Sequence, residues 1–236
     1  TKEYKYIGSF EKGEKSGFGK EKRENERYEG AWKNDKRHGN GILSHQDGSL
    51  YDGEWRDGDK NGFGKFSDWE GNLYVGDWAN GLEHGKGEYK GPDGESYKGD
   101  FEDGRKEGYG VYVDKEGWEY KGDWKSGRKS GKGVLVIKDS SYDGEWRDDC
   151  RNGYGVYTFS NESRYEGEWA NNLAEGKGKY VFGDGACYEG LFSRGWPKGN
   201  GVFRFPENGM EVKREWDEHL PTGYRVEIPW QKTMHR

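Results

Sequence analysis

Aromatic and acidic residues alternate in short runs along almost the whole chain. The run Tyr51-Asp-Gly-Glu-Trp55 is typical, with aromatic residues or glycine at every second position and acids between them. Side chains of a β-strand point alternately to the two faces of a sheet. The pattern therefore predicts strands with an aromatic face and a polar face. No segment shows a sustained apolar period of about 3.6 residues, so almost no helix is expected.

The run recurs at a fixed spacing, as Tyr-x-Gly-x-Trp/Phe followed seven residues later by Gly-x-Gly. Successive copies begin 22 or 23 residues apart, at Tyr6, Tyr28, Tyr51, Tyr74, Tyr97, Tyr120, Tyr142, Tyr165 and Tyr188. A degenerate tenth copy runs through Val212, Arg214 and Trp216. A fixed period of this length indicates a repeat array rather than a globular domain with one central core.

Each copy predicts one β-hairpin. In the third copy, Leu50 to Trp55 is the first strand and Asn61 to Ser67 is the second. Asp57-Gly58 lies between them and is a strong hairpin-turn signal. The same kind of turn recurs at Asn80-Gly81, Asp103-Gly104, Ser126-Gly127 and Asn171-Asn172. The predicted fold class is therefore all-β, a solenoid-like stack of about ten β-hairpins with about twenty strands in total.

The two ends of the array depart from the pattern, which divides the chain into three parts. Residues 1–27 form an atypical first hairpin that is highly charged from Lys20 to Arg27. Residues 28–209 are the regular array. Residues 210–236 are the degenerate tenth repeat, a cap and a tail, because proline interrupts the pattern at Pro221 and Pro229. The last residues, 231–236, are expected to fray.

Alternation also assigns faces to the second strand of each hairpin. It places Gly62, Gly64 and Phe66 on the aromatic face, where glycine would let neighbouring rings lie flat on the backbone. The polar face then receives an acid from each first strand, and these acids are interpreted as a solvated surface. They are Glu54, Asp77, Asp100, Asp123, Glu145 and Glu168.

The middle residue of Gly-x-Gly, which lies on the polar face, alternates in type between successive copies. It is aromatic in the odd copies up to the seventh, at Phe18, Phe63, Tyr109 and Tyr154, and Lys or Asn in the even copies up to the eighth. The ninth copy breaks the rule with Asn200. Two interpretations stay open. These aromatic residues cover a neighbouring turn, or Phe63, Tyr109 and Tyr154 form a second contact surface for a partner.

Composition narrows the class of protein. Only 29% of the 236 residues are hydrophobic, but 16% are aromatic, which argues against disorder. A net charge of −6 disfavours a nucleic-acid binder. No apolar run approaches the roughly 20 residues that span a bilayer. The two cysteines, Cys150 and Cys187, occupy unlike repeat positions and are expected to be reduced thiols of a cytosolic protein.

No catalytic constellation, cofactor site or metal site is predicted, so the chain is not expected to be an enzyme. His38 and His84 occupy the same repeat position two copies apart, which indicates repeat chemistry rather than ligation. Gly-x-Gly lies within a hairpin and precedes no helix, so it is not a phosphate-binding loop.

The combined signature resembles the membrane occupation and recognition nexus (MORN) repeat. The segments Gly81-Leu-Glu-His-Gly-Lys-Gly87 and Tyr165-Glu-Gly-Glu-Trp169 carry the resemblance most clearly, and it covers roughly residues 4 to 225. It implies a single elongated, twisted antiparallel sheet with a groove lined by the Tyr and Trp positions. It also implies functions that vary among members, including radial-spoke and other axonemal proteins, cytoskeletal scaffolds and proteins that tether two membranes.

The first functional hypothesis is a non-catalytic scaffold that docks a partner peptide or helix along this groove. The predicted groove residues are Tyr51, Trp55, Tyr74, Trp78, Tyr97, Phe101, Tyr120, Trp124, Tyr142, Trp146, Tyr165 and Trp169. The frequency of such roles in the family favours a cytoplasmic protein of the cytoskeleton or the ciliary axoneme. Whether two copies form a homodimer stays open.

The second hypothesis is a membrane tether that binds phospholipid. It needs a basic surface. The candidates are Lys86, Lys132 and Lys177 in even copies and the cluster Lys121, Lys125, Arg128 and Lys129. The acids on the same face count against it. Choline-binding repeats are also rich in Trp, Tyr and Gly, but they place adjacent aromatic residues in a different order.

Overall fold

The computed structural model describes residues 4–221, 223–226 and 228. Within them the chain forms 19 strands and no helix, and it divides into two units at Gly117 and Trp118. Consecutive strands within each unit pair antiparallel. The predicted all-β class of stacked hairpins is therefore confirmed.

The first unit contains ten strands. They are β1 Lys5–Glu11, β2 Glu14–Lys22, β3 Glu26–Lys33, β4 Lys36–His45, β5 Leu50–Arg56, β6 Asp59–Ser67, β7 Leu73–Ala79, β8 Leu82–Lys90, β9 Ser96–Glu102 and β10 Arg105–Val113. The second unit contains nine. They are β11 Glu119–Lys125, β12 Arg128–Ile137, β13 Ser140–Arg147, β14 Cys150–Thr158, β15 Arg164–Ala170, β16 Leu173–Val181, β17 Cys187–Ser193, β18 Trp196–Arg204 and β19 Glu211–Asp217.

The hairpin turns are built from pairs of residues with positive φ, as the Asp-Gly and Asn-Gly signals predicted. Asp57 and Gly58 have φ of 54° and 101°, and Asn171 and Asn172 have φ of 49° and 72°. Two consecutive left-handed residues match the twist of the flanking strands. Each turn also contacts the preceding hairpin, since the amide of Gly58 donates to the carbonyl of Arg37 at 3.0 Å.

A tyrosine ring lies on a pair of facing glycines in each regular hairpin. Gly53 pairs with Gly64 across β5 and β6. A Cβ added at Gly64 would lie 2.5 Å from Oη of Tyr51 and 2.6 Å from its ring. The ring therefore fills the space that a side chain would need. This confirms the predicted role of the second glycine of Gly-x-Gly.

The first glycine of Gly-x-Gly does not share that face, so the prediction for Gly62 is wrong. Gly53 faces Gly64 but Trp55 faces Lys60, which means that the second strand carries two extra residues in a bulge. Gly62 lies in this bulge with φ of 78°, and a Cβ there would contact the carboxylate of Glu54 at 2.7 Å. Strict alternation fails because the bulge turns Gly62 toward the polar face.

The two ends differ from the regular hairpins. In the first hairpin, Glu21 occupies the place that Phe66 has in the third, and its buried carboxylate pairs with Lys15 at 2.5 Å and Arg23 at 3.1 Å. The tenth copy contributes β19, but its expected second strand is not formed by the described residues after Asp217. Instead, Tyr224 packs on Phe203 with ring centroids 4.8 Å apart. Pro229 and the predicted tail, 231–236, lie outside the described residues.

Gly64→Ala is expected to lower the free energy of unfolding by about 2–3 kcal/mol, because the new methyl group displaces the Tyr51 ring from the backbone. The measurement is urea denaturation followed by tryptophan fluorescence. Gly58→Asn is the matched control, since Asn172 already occupies the equivalent turn position with positive φ. The control should cost less than about 1 kcal/mol. Equal losses in the two variants would contradict the proposed role of the glycine pair.

Candidate functional site

The predicted groove residues lie in the protein core. Tyr97, Tyr120 and Tyr165 are 0% exposed, and Phe101, the most exposed of the set, reaches 9%. The other buried members are Tyr51, Trp55, Tyr74, Trp78, Trp124, Tyr142, Trp146 and Trp169. Within each unit these residues lie on one face and form its interior rather than an open surface.

Edge-to-face packing explains how the rings bury one another. The Trp55 ring lies 5.1 Å from Tyr51 of its own hairpin and 5.4 Å from Tyr28 of the preceding hairpin, at nearly perpendicular angles. The same arrangement joins Trp146 to Tyr142 and Tyr120 in the second unit. Such contacts are favoured by the ring quadrupoles. Trp55 and Trp146 therefore each connect two consecutive hairpins.

The polar atoms of these rings form hydrogen bonds within the protein. Tyr51 Oη donates to the carbonyl of Glu54 at 2.8 Å, and Trp55 Nε1 donates to the carbonyl of Gly41 at 3.0 Å. Burial raises the pKa of Tyr28 and of Tyr188 to about 12. The pKa of Tyr51 also lies well above its ordinary value, chiefly because of burial. These tyrosines stay neutral in the folded protein.

A row of cations on the aromatic face was missed in the sequence. Lys60 Nζ lies 4.3 Å from the Phe66 ring centroid and 4.5 Å from that of Trp78. Arg151 is 0% exposed, stacks on Trp169 at 4.4 Å and donates from Nη2 to the carbonyl of Asn172 at 2.9 Å. Burial lowers the pKa of Arg151 to about 10. The signal was available, because a cation recurs five residues after the Trp or Phe at Lys15, Arg37, Lys60, Lys106, Lys129 and Arg151.

These contacts change what a partner could touch on the aromatic face. The half-buried Phe66, Tyr89 and Tyr112 lie beside the buried rings, and the cations stack over the ring faces. A docked segment would contact this outer layer. Direct partner binding by the core tyrosines and tryptophans stays a prediction.

The predicted second surface is exposed. Phe63 and Tyr109 are each 57% exposed in the first unit, and Tyr154 is 52% exposed in the second. Phe18, at 59%, belongs to the same series. More than half of the surface of each of these residues is therefore open to solvent. Contact with a partner through these residues stays a prediction.

The acids of the polar face are more than a solvated surface, which corrects the interpretation made from the sequence. Glu54 Oε1 accepts the backbone N–H of Phe63 at 3.0 Å, and Asp123 Oδ2 accepts that of Lys132 at 2.9 Å. Glu145 Oε1 accepts the N–H of Tyr154 at 3.1 Å. Each acid thus satisfies an amide of the bulge in its own hairpin. A carboxylate acceptor makes this a charge-assisted hydrogen bond.

Several of the candidate lipid-binding cations are already engaged. Lys86 forms an ion pair with Asp100, Lys121 with Glu119 at 2.7 Å, and Arg128 with Asp148 at 3.6 Å. Lys129 is 7% exposed, and its Nζ lies over the rings of Tyr120 and Trp146. The predicted cluster therefore does not form one open basic surface.

Other candidate chemistry is sparse in the part of the chain that the structure describes. No group of three or more His, Cys, Asp or Glu residues there is arranged to hold a metal ion. Cys150 and Cys187 are free thiols. The described segments include no helix that could span a membrane.

Comparison with known proteins gives one family. Nine successive segments match the family model described as MORN repeat, at residues 6–25, 28–50, 51–68, 74–96, 97–119, 120–141, 142–164, 165–187 and 188–210. No curated protein matches the chain.

Two solved structures show a distant likeness. The chain is similar to the TCP domain of SAS-4 from Drosophila melanogaster, in complex with a proline-rich motif of Ana2, at 15% identity over 66% of this chain and 85% of that one, with a TM-score of 0.42. It is also similar to a point mutant of the TCP10 domain of CPAP from Danio rerio, at 12% identity over 85% of this chain and 95% of that one, with a TM-score of 0.35. Neither likeness is close enough to assign a ligand or a partner.

Glu145→Ala is expected to lower the free energy of unfolding by about 1 kcal/mol, because the bulge amide of Tyr154 loses its acceptor. Asp143→Ala is the control, since it removes the same charge from the same face of β13. The Asp143 carboxylate makes no hydrogen bond to another described residue, so its removal should change stability by less than about 0.5 kcal/mol. Equal effects in chemical denaturation would show that the Glu145 contact has no structural role.

Alkaline pH is expected to unfold the protein cooperatively. Tyr28 and Tyr188 have pKa values of about 12 in the fold and about 10 when unfolded. The folded state therefore keeps these protons longer, so stability is full below about pH 10 and falls as pH rises toward 12. The part of the tyrosinate absorbance that comes from the buried tyrosines should change together with the far-UV circular dichroism near about pH 11. Complete ionisation of all tyrosines with an unchanged dichroism spectrum would contradict the burial of Tyr28 and Tyr188.

Proposed function

Because this chain belongs to the MORN repeat family, we propose that it is a non-catalytic scaffold that docks a segment of a partner protein on its polar face. The family assignment confirms the resemblance predicted from the Tyr-x-Gly-x-Trp and Gly-x-Gly motifs. MORN repeats suggest a protein-interaction or scaffold role. The choice of face and of partner class goes further and is our proposal.

The exposure of the second surface carries this proposal. Rings on the aromatic face pack on one another, on glycine and on cations, whereas Phe63, Tyr109 and Tyr154 keep more than half of their surface exposed. Phe63 and Tyr109 lie four strands apart in the first unit, which is about 19 Å at the usual strand spacing. Exposed aromatic residues repeated on an otherwise polar face are typical anchors for a partner.

A cytoskeletal or ciliary axonemal assembly is the proposed setting. The range of functions in the family supports this choice, and a stack of equivalent hairpins suits a spacer that offers contacts at regular intervals. Docking over the aromatic face is the competing version, in which a partner would touch Phe66, Tyr89 and Tyr112. No observation favours a phospholipid tether over either version, because Lys86, Lys121 and Arg128 are in ion pairs and Lys129 is buried.

Affinity purification tests the proposal with wild-type and variant protein as bait in a cytoskeletal extract. The variant Phe63→Ser/Tyr109→Ser/Tyr154→Ser should lose the partners that wild type retains. It should stay folded within about 0.5 kcal/mol, because the altered side chains are exposed.

Two further variants identify the face that binds. Trp69→Ser/Leu82→Ser removes side chains that are 67% and 46% exposed elsewhere on the first unit, and it should retain every partner. Tyr89→Ser/Tyr112→Ser alters the outer layer of the aromatic face and should also retain them. Partner binding that survives the second-surface variant, or that is lost equally with the Trp69 control, would overturn the proposal.

A further inference from the structure

A groove crosses the polar face of the second unit from β14 to β19. It encloses about 950 Å³. Backbone of the glycine row forms part of its lining, at Gly167, Gly178, Gly190 and Gly201. These glycines pair in register from strand to strand. The groove is therefore continuous across neighbouring strands.

Apolar side chains line the groove at three places on an otherwise polar face. Tyr154 on β14 is 52% exposed and Leu191 on β17 is 40% exposed. Val202 on β18 is half-buried and also lines the cavity. Leu191 and Val202 lie on neighbouring strands, so they offer one adjoining apolar contact area.

The glutamates in the middle of the groove are held by their own neighbours. Glu166 accepts from the Tyr154 hydroxyl at 2.9 Å and pairs with Arg164 at 3.4 Å. Glu189 pairs with Arg204 at 2.9 Å. Their charges are therefore balanced within the fold.

Lys177 and Lys179 line the groove from β16. Lys179 lies opposite Glu166 on β15 and Glu189 on β17, whereas Lys177 faces the apolar Leu191. Neither lysine forms an ion pair with another described residue. Lys213 at the far side pairs with Glu211 at 3.0 Å, and Glu215 on β19 adds a carboxylate there. Lys177 thus offers a cation with no facing acid, directly opposite Leu191 on β17, and Lys179 adds a second ammonium group beside it.

We propose that this groove docks an acidic amphipathic segment of a partner protein, with its carboxylates on Lys177 and Lys179 and its apolar residues on Leu191, Val202 and Tyr154. This inference rests on the proposed docking function and names the class of partner for the second unit. Local charge decides the match, although the whole chain carries a net charge of −6. Glu215 orients the segment by repelling acids from the β19 end.

The length of the groove sets the size of the segment. Five strand steps from β14 to β19 span about 24 Å. A helix of about 16 residues has the same length. An extended segment would need about half that number. Both fit the proposal, since the chemistry of the contacts is the same.

A displayed library of random peptides of about 16 residues is the probe, since it presupposes no cellular partner. Peptides selected on the wild-type chain should be rich in Asp and Glu interspersed with apolar residues. Their binding should weaken about tenfold on Lys177→Glu/Lys179→Glu and also as salt is raised. The control Lys65→Glu/Lys132→Glu reverses two lysines on the polar face outside the groove and should leave binding unchanged. Circular dichroism should show that both variants are folded.

Three results would overturn this inference: no enrichment, enrichment of basic or uncharged peptides, or equal binding to the Lys177→Glu/Lys179→Glu variant. These results would leave the docking function itself untouched, because that function is judged by cellular partners and the second-surface variant. The opposite outcome is also distinguishable. If acidic peptides are selected as expected but the second-surface variant retains all cellular partners, the proposed function is refuted while the proposed peptide binding in the groove stands.

Discussion

A tyrosine ring lying on two facing glycines is the contact on which the rest of this structure depends. Tyr51 occupies the space that side chains at Gly53 and Gly64 would take. Its hydroxyl reaches the carbonyl of Glu54, and its ring edges contact the indoles of its own and the following hairpin. Because any larger residue at Gly64 would lift the ring, the glycine pair and the tyrosine have to recur together. This requirement explains how so few aliphatic residues suffice for a core.

The bulge in the second strand links the structure of the polar face to that of the aromatic face. Two extra residues open the pairing between Gly53 and Trp55, and a carboxylate from the first strand accepts the amide that the bulge leaves unpaired. Gly62 fits there for two reasons, its positive φ and the nearness of Glu54. The residue that follows, Phe63, is held with its side chain outward. Within one hairpin, the packing of the core on one face and the exposure of a side chain on the other thus depend on the same backbone geometry.

Much of this fold could be predicted because the same local sequence pattern recurs in every copy of the repeat. The turn dipeptides specified the hairpins, and alternation placed Tyr51 and Trp55 on one face. Alternation shows to which face a side chain points but not which other residues shield it from solvent. Lys60 and Arg151 shield part of the rings, because their ammonium and guanidinium groups stack on them. Their charge suggested surface residues instead. Face assignment failed at Gly62 because a bulge breaks strict alternation.

The two faces therefore differ in how freely their residues can vary. On the aromatic face a change at Tyr51, Gly64 or Trp55 disturbs two hairpins at once, so that face must stay nearly identical from copy to copy. On the polar face the residue between the two glycines belongs to no buried core, and its side chain can be as different as Phe63, Lys86 or Asn200. Binding specificity requires residues that differ from copy to copy. On the proposed docking face, we therefore expect the departures from the period, rather than the repeated aromatic signature, to distinguish one partner from another.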